Sequence, residues 1–311
     1  MRRHLVPAIG LCLALAGCAS DSPAAARLPA TAAATTPELH VAAAFYPLSF
    51  LAGRLAGEGA LVEDLTASGA EPHDLELTPK QVARLGDADL VLHLAGFQPS
   101  VDRAVQQQAR DAALDVSSVT PLEPGHVPLE AGVAHPDEEG PDPHVWLAPR
   151  RYSAIADAVA ARMSELRPGQ SRQIRGRAQR LRRELTALDR QFRAGLADCE
   201  RRQVVTSHNA FGYLASAYDL EQVPIAGFTP DAEPSPRRLS EVASYARANG
   251  VTTVYFEELV DPAVAEALAR EVGAQPAALS PLEVAPEGGD YFSSMRDNLA
   301  ALQRGLGCTV G

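Results

Sequence analysis

From residue 40 the chain alternates short apolar runs with amphipathic stretches. "HVAAAFYP" has the composition of a strand, and "LSFLAGRLAG" repeats its apolar residues at helical spacing. "ALVEDLTA" again predicts a strand. "TPKQVARLGDA" predicts a helix with Thr78 as its cap and Pro79 in its first turn. "DLVLHLAG" is apolar enough for a strand buried on both faces, and "FQPSVDRAVQQQA" predicts a further helix. Strands and helices alternating at these lengths form βαβ units around a mostly parallel sheet.

A second block follows the same rhythm. "RQVVTSH", "QVPIAGF" and "VTTVYFEE" predict strands, while "NAFGYLASAYD", residues 236–248, residues 261–272 and "DYFSSMRDNLAALQRGL" predict helices. Between the blocks lie a helical stretch over 151–165 and a much longer one from about 169 to 197. Ile174, Ala178, Leu181, Leu185, Leu188, Phe192 and Leu196 stand three or four residues apart and define one apolar stripe on that long helix. At 1.5 Å per residue it extends roughly 40 Å, enough to run the length of two domains. The pattern therefore predicts an α/β protein: two Rossmann-like lobes with mostly parallel sheets, joined by one long rigid backbone helix. The boundaries expected are residues 38–167 for the N-terminal lobe, 168–198 for the linking helix and 199–311 for the C-terminal lobe. Residues 120–143, rich in proline and acids and holding His126 and His135, interrupt the first lobe as a long loop.

The opening "MRRHLVPAIGLCLALAGCAS" changes the picture of where the chain works. Arg2 and Arg3, an apolar run too short to span a bilayer, and small residues before a cysteine predict a signal peptide over 1–17. Leu15-Ala16-Gly17-Cys18 has the pattern at which bacterial lipoproteins are cleaved and acylated on the cysteine. Residues 18–37 would then be a lipidated cysteine and a flexible Ala-, Ser-, Thr- and Pro-rich tether, which places the protein outside the cytoplasm and on a membrane. Cys12 leaves with the leader and Cys18 takes the lipid, so Cys199 and Cys308 remain to pair as a disulfide in an oxidising compartment. The formal charge is −11; loss of the leader leaves 26 basic against 39 acidic residues, or −13. So acidic a chain is a poor partner for nucleic acid and a good one for cations.

"GAEPHDLELTP" and "GPDPHVWLAP" each set a histidine behind an acidic-proline pair. Proline fixes its own φ and pushes the preceding residue toward extended backbone, so His73 and His144 sit on stiff, turn-like mounts. His208 falls where the strand "RQVVTSH" stops, and Asp290 just before the last helix. In open α/β sheets ligands bind beyond the carboxyl ends of the strands, where all four residues are expected. Three neutral imidazoles and one carboxylate suit Zn²⁺, whereas a second carboxylate would favour Mn²⁺. The layout alone leaves these histidines either as ligands or as ordinary loop residues. His40 and His93 lie within strand patterns and are expected to be packed or hydrogen-bonded rather than ligating.

The stretches "GAEPHDLELTPKQVARLGDADLVLHLAGFQPSVD", "DPHVWLAPRRY", "SHNAFGYLASAYDL", "DAEPSPRRLSEV" and "DYFSSMRDNL" resemble, in order, the metal-binding substrate-binding proteins of ABC importers, zinc-uptake type. The resemblance implies two α/β lobes with one metal between them, delivered to an ABC permease. Carried onto this chain, the family's ligands fall on His73, His144 and His208. Its usual carboxylate falls on Asp290, with Glu287 as the neighbouring alternative. Histidine at 208, where manganese receptors tend to carry glutamate, favours Zn²⁺ over Mn²⁺. Two features depart from the family: residues 120–143 hold two histidines among many acids instead of a histidine-rich loop, and Asn209 stands where aspartate is common.

A secreted zinc hydrolase would need an open metal position and a nearby base, and no HExxH or comparable signature is present. Ser207 beside His208 is no nucleophile-base pair, since neighbours on a strand face opposite ways. The expectation is therefore a monomeric receptor, not an enzyme. A metal-dependent adhesin is the alternative on the same fold.

Overall fold

The computed structural model describes residues 38–66, 69–124, 140–230, 233–257 and 261–309. The signal peptide, Cys18, the tether and most of the acidic loop, with His126 and His135, lie outside them. Residues 37–311 form one compact unit.

The first half runs β1 (Leu39–Ala43), α1 (Tyr46–Ala56), β2 (Ala60–Asp64), α2 (Pro79–Asp87), β3 (Leu90–His93), α3 (Pro99–Ala104) and β4 (Ala113–Asp115). Its four strands are all parallel, in the order β2-β1-β3-β4. Two helices follow, α4 (Pro149–Leu166) and α5 (Ser171–Gly195). The second half runs β5 (Gln203–Thr206), α6 (Gly212–Ala217), β6 (Glu221–Pro224), α7 (Pro236–Ala248), β7 (Thr253–Phe256), α8 (Ala263–Val272), β8 (Gln275–Ala278) and α9 (Tyr291–Leu306). Its sheet is also parallel, in the order β6-β5-β7-β8. The same strand order appears twice, a repeat that the amino-acid pattern did not disclose.

Local chemistry explains the elements. Thr78 caps α2 through a reciprocal box with Gln81, as its position before Pro79 predicts. The stripe on α5 is buried from Ile174 to Phe192 and packs on α4, α1 and α9, so α5 takes its stability from tertiary contact. Two edge strands, β4 and β8, escaped the pattern reading. β4 is only three residues long, and β8 reads Gln-Pro-Ala-Ala, with little β propensity and a proline that only a sheet edge tolerates.

The larger core runs from β1 to α9 and joins both sheets, while a smaller one fills the far face of the second sheet. Val204 belongs to the first and Val205 to the second, as alternation along a strand requires. Cys199, just past α5, is disulfide-bonded to Cys308, just past α9. No described helix is long and apolar enough to cross a membrane.

Candidate metal centre

His73 lies in the loop after β2, His144 just before a single helical turn leading into α4, and His208 just after β5. Glu283 lies in the segment after β8. One ligand atom from each of these four residues falls within 4.8 Å of all the others. His144 and His208 have no exposed surface and Glu283 is 3% exposed, so the group sits in a low-dielectric interior.

Each histidine is aimed by its neighbours. Glu71 accepts the backbone N–H of His73 at 3.0 Å and closes a tight turn over Pro72. Asp142 does more: its Oδ1 accepts both the backbone N–H of His144, at 2.9 Å, and the Nδ1–H of the same residue, at 2.7 Å. The Nε2 of His144 is thereby turned to Glu283, 3.0 Å away. Glu257, at the end of β7, bonds His208 Nδ1 and also accepts the Ser207 hydroxyl at 2.7 Å. That leaves His208 Nε2 buried, without a hydrogen-bond partner, 3.7 Å from Glu283 Oε1. His73 Nε2 faces the same oxygen at 3.4 Å. All three imidazoles thus present Nε2 to one carboxylate. Carboxylates behind the rings of His144 and His208 are the arrangement that fixes the tautomer of a metal-bound histidine.

Glu283 is held by a rigid mount. Ser280 exchanges two hydrogen bonds with Asn298 of α9, N–H to Oδ1 at 2.9 Å and O from Nδ2 at 2.7 Å. Trp146 Nε1–H donates to Pro281 O at 2.7 Å, and Tyr291 donates its hydroxyl to Trp146 O at 2.7 Å. Leu282 has φ of +58°, a left-handed conformation that a branched side chain adopts at a cost of roughly 1–3 kcal/mol. Its N–H is anchored on Ser280 Oγ at 3.2 Å. The strained residue directly precedes the buried carboxylate and sets its direction. Phe97 and Trp146 wall the site, with ring centroids 4.6 Å from His73 and 5.3 Å from His144.

The charges follow the geometry. Burial opposes ionisation of Glu283, but the three imidazoles of His144, His208 and His73 that face it prevail and hold its pKa well below the ordinary value. Burial likewise works against the charged form of His208, and the Glu257 carboxylate overrides it, pushing the imidazole up to about 10. His144 is raised as well: Asp142 and Glu283 outweigh its burial. Glu71 is pushed up to about 7, by burial first and then by the charge of Glu283.

The structure brings His73, His144 and His208 together; Asp290 stands apart. The Asp290 carboxylate accepts the N–H groups of Phe292 and Ser293 at 2.9 and 3.0 Å, and Ser293 Oγ in turn accepts the Asp290 N–H at 2.7 Å. It is the cap of α9, already engaged. Glu287 is exposed. Glu283 takes the place given to Asp290, and two signals in the chain point to it. Asp290 is followed three residues later by Ser293, a capping pattern, whereas Glu283 is flanked by Leu282 and Val284, where an acid is expected to be buried. Glu257, at the end of the predicted strand "VTTVYFEE", orients His208. Asn209 is buried and bonds Gly227 O through its backbone, so support for His208 comes from Glu257 and not from the residue beside it. His93 is packed at the end of β3 near Asp102, with 3.3 Å from Nδ1 to Oδ1, as expected; His40 is exposed, with its N–H on Asp89.

The chain is 32% identical over 290 residues to the zinc-binding protein AdcA of Streptococcus pyogenes serotype M3, covering 86% of this chain and 56% of AdcA. It thus spans about half the length of the first curated relatives it matches. It is also 32% identical over 281 residues to the high-affinity zinc uptake system protein ZnuA of Bacillus subtilis, covering 86% of this chain and 88% of that one. Among solved structures it superposes on the Zn(II)-bound ZnuA-like domain of Streptococcus pneumoniae AdcA with a TM-score of 0.71 and 31% identity, over 86% of this chain and 99% of that domain. Residues 41–305, from β1 to the last turn of α9, match the family of the periplasmic component A of zinc-uptake complexes, ZnuA, and the chain belongs to that family.

Proposed function

We propose that this chain is an extracytoplasmic receptor that captures one Zn²⁺ on His73, His144, His208 and Glu283 and hands it to an ABC permease. The observation that carries the reading is the buried convergence of three Nε2 atoms and one carboxylate within 4.8 Å. Three borderline-soft nitrogens and one oxygen match the preference of Zn²⁺ for four-coordinate N/O sites, and fit Mn²⁺ less well because it favours oxygen donors. Four protein ligands complete a tetrahedron and leave no open position for a hydrolytic water, so the work is binding and release without turnover. The names of the relatives, both zinc proteins, support the same cargo. His73 and His144 belong to the N-terminal lobe, 38–167, and His208 and Glu283 to the C-terminal lobe, 199–311, with 168–198 as the linking helix. Acylation of Cys18 after removal of residues 1–17 would anchor the monomeric receptor beside its permease.

The test is metal stoichiometry on chain stripped with chelator and re-challenged with zinc and manganese together. One zinc per chain is expected, lost or greatly weakened in Glu283→Gln and kept in Asp290→Asn, which leaves an acceptor oxygen to cap α9 and should cost little stability. Zinc kept in Glu283→Gln and lost in Asp290→Asn would overturn the ligand set. Preferential retention of manganese would overturn the cargo.

A further inference from the structure

The charge of this chain is segregated along its length. Residues 150–193, which make up α4 and α5, carry twelve arginines and four acids. Residues 38–149 hold five basic and eighteen acidic residues, and residues 194–311 hold eight and sixteen. A basic spine of net +8 therefore runs through a protein of net −11. On α5 the arginines are on the water side: Arg172, Arg180, Arg183 and Arg190 are exposed and have no acidic partner among the described residues. Arg172, Arg183 and Arg190 are spaced by 11 and 7 residues, which on an α-helix puts them within about 20° of one line. That line is about 27 Å long at 1.5 Å per residue.

We propose that this face of α5 lies against an anionic phospholipid surface. The opposite face of the helix is spent on the core, and between the arginines the outer face presents Gln179 and Thr186, with no large apolar residue. The buried centre of a protein–protein interface is typically apolar and aromatic, and this face has no such centre. A straight row of guanidinium groups, each able to hold phosphate through two hydrogen bonds, suits a plane of headgroups. The identity of the occupant rests on the proposed lipid anchor, because acylation of Cys18, twenty residues ahead of the described body, would keep that body at the bilayer. At physiological salt the Debye length is about 8 Å, so arginines touching the headgroups are felt and the acidic lobes beyond that distance are screened. Each arginine at such a surface is worth roughly a fivefold change in partition.

The experiment uses the mature chain from residue 18 with Cys18→Ala, so that binding reports the helix face and not the lipid. Co-sedimentation is measured with phosphatidylcholine vesicles, with and without phosphatidylglycerol. Binding only to the anionic vesicles is expected, abolished by high salt and weakened roughly a hundredfold in Arg172→Gln/Arg183→Gln/Arg190→Gln, whose unfolding transition stays that of the parent. Equal binding to both vesicles, binding to neither, or a triple variant that binds like its parent would overturn the proposal. An acylation failure at Cys18 would show separately, by mass spectrometry of the natural protein.

Discussion

Asp142 is the residue on which the ligand set can be tested most sharply without touching a ligand. It is 2% exposed, and one of its oxygens takes both the backbone N–H and the Nδ1–H of His144. Asp142→Asn keeps the shape and an acceptor oxygen but removes the charge. A hydrogen bond to a charged group contributes about 1.5–3 kcal/mol, and at about 1.4 kcal/mol per decade this is a 10- to 150-fold loss of zinc affinity. Experience with the outer partners of metal-bound histidines gives about the same span, 10- to 100-fold. Asp142→Ala should fall further, because it frees both N–H groups of His144 at a buried position. Competition against a fluorescent zinc chelator at fixed pH reads the ratio directly, and zinc per chain should stay at one. An unchanged Kd in Asp142→Asn would refute the idea that this carboxylate steers the ring. Complete loss of zinc would show that Asp142 is itself a ligand.

The pH response carries a worked sign. His208 is raised from 6.5 to about 10, so the stability its proton contributes is whole below pH 6.5 and drains away as pH climbs toward 10; urea unfolding of chelator-stripped protein should show that decline. Zinc must expel the same proton, so affinity should weaken by about tenfold per pH unit per proton as pH falls through that window, well above the 6–6.5 of an ordinary imidazole. Affinity unchanged between pH 7 and 9 would refute this. The Cys199–Cys308 bond closes a separation of 109 residues, for which loop entropy gives up to about 4.8 kcal/mol. Cys199→Ala/Cys308→Ala should lower the urea-derived stability by that order and leave zinc stoichiometry alone, and a loss under about 1 kcal/mol would rule out the entropic account.

Much of this architecture is legible in the residues, and its limits have physical causes. The stripe from Ile174 to Phe192 could only be a long buried-face helix, and His73 and His208 lie beyond the carboxyl ends of β2 and β5, where parallel α/β sheets place their ligands. The carboxylate was misplaced by a few residues. Asp290 and Glu283 are both acids ahead of α9; their flanking residues differ, but it takes the tertiary structure to show that one is consumed by a helix end and the other is carried into the interior on Leu282's left-handed backbone. Glu257 was likewise beyond reach, since its role depends on β7 lying beside β5 in the sheet. The charge segregation, by contrast, was in the chain from the start and gains meaning only once α5 is seen with its arginines facing water.

The two hydrogen bonds of Trp146 bear on timing. His144 and Glu283 are carried on segments that this one side chain and its own carbonyl fasten together, through Pro281 O and the Tyr291 hydroxyl. Parting the two segments means breaking both bonds and handing their partners to water, which costs about 0.5–1.5 kcal/mol each, or about 1–3 kcal/mol together. These two bonds alone then disfavour the opened form by a factor of roughly 5 to 150. On the proposed function, a metal held this way would have a residence time set by a tryptophan latch as much as by its ligands, and a partner that pulls on the latch would empty the site without competing for the metal.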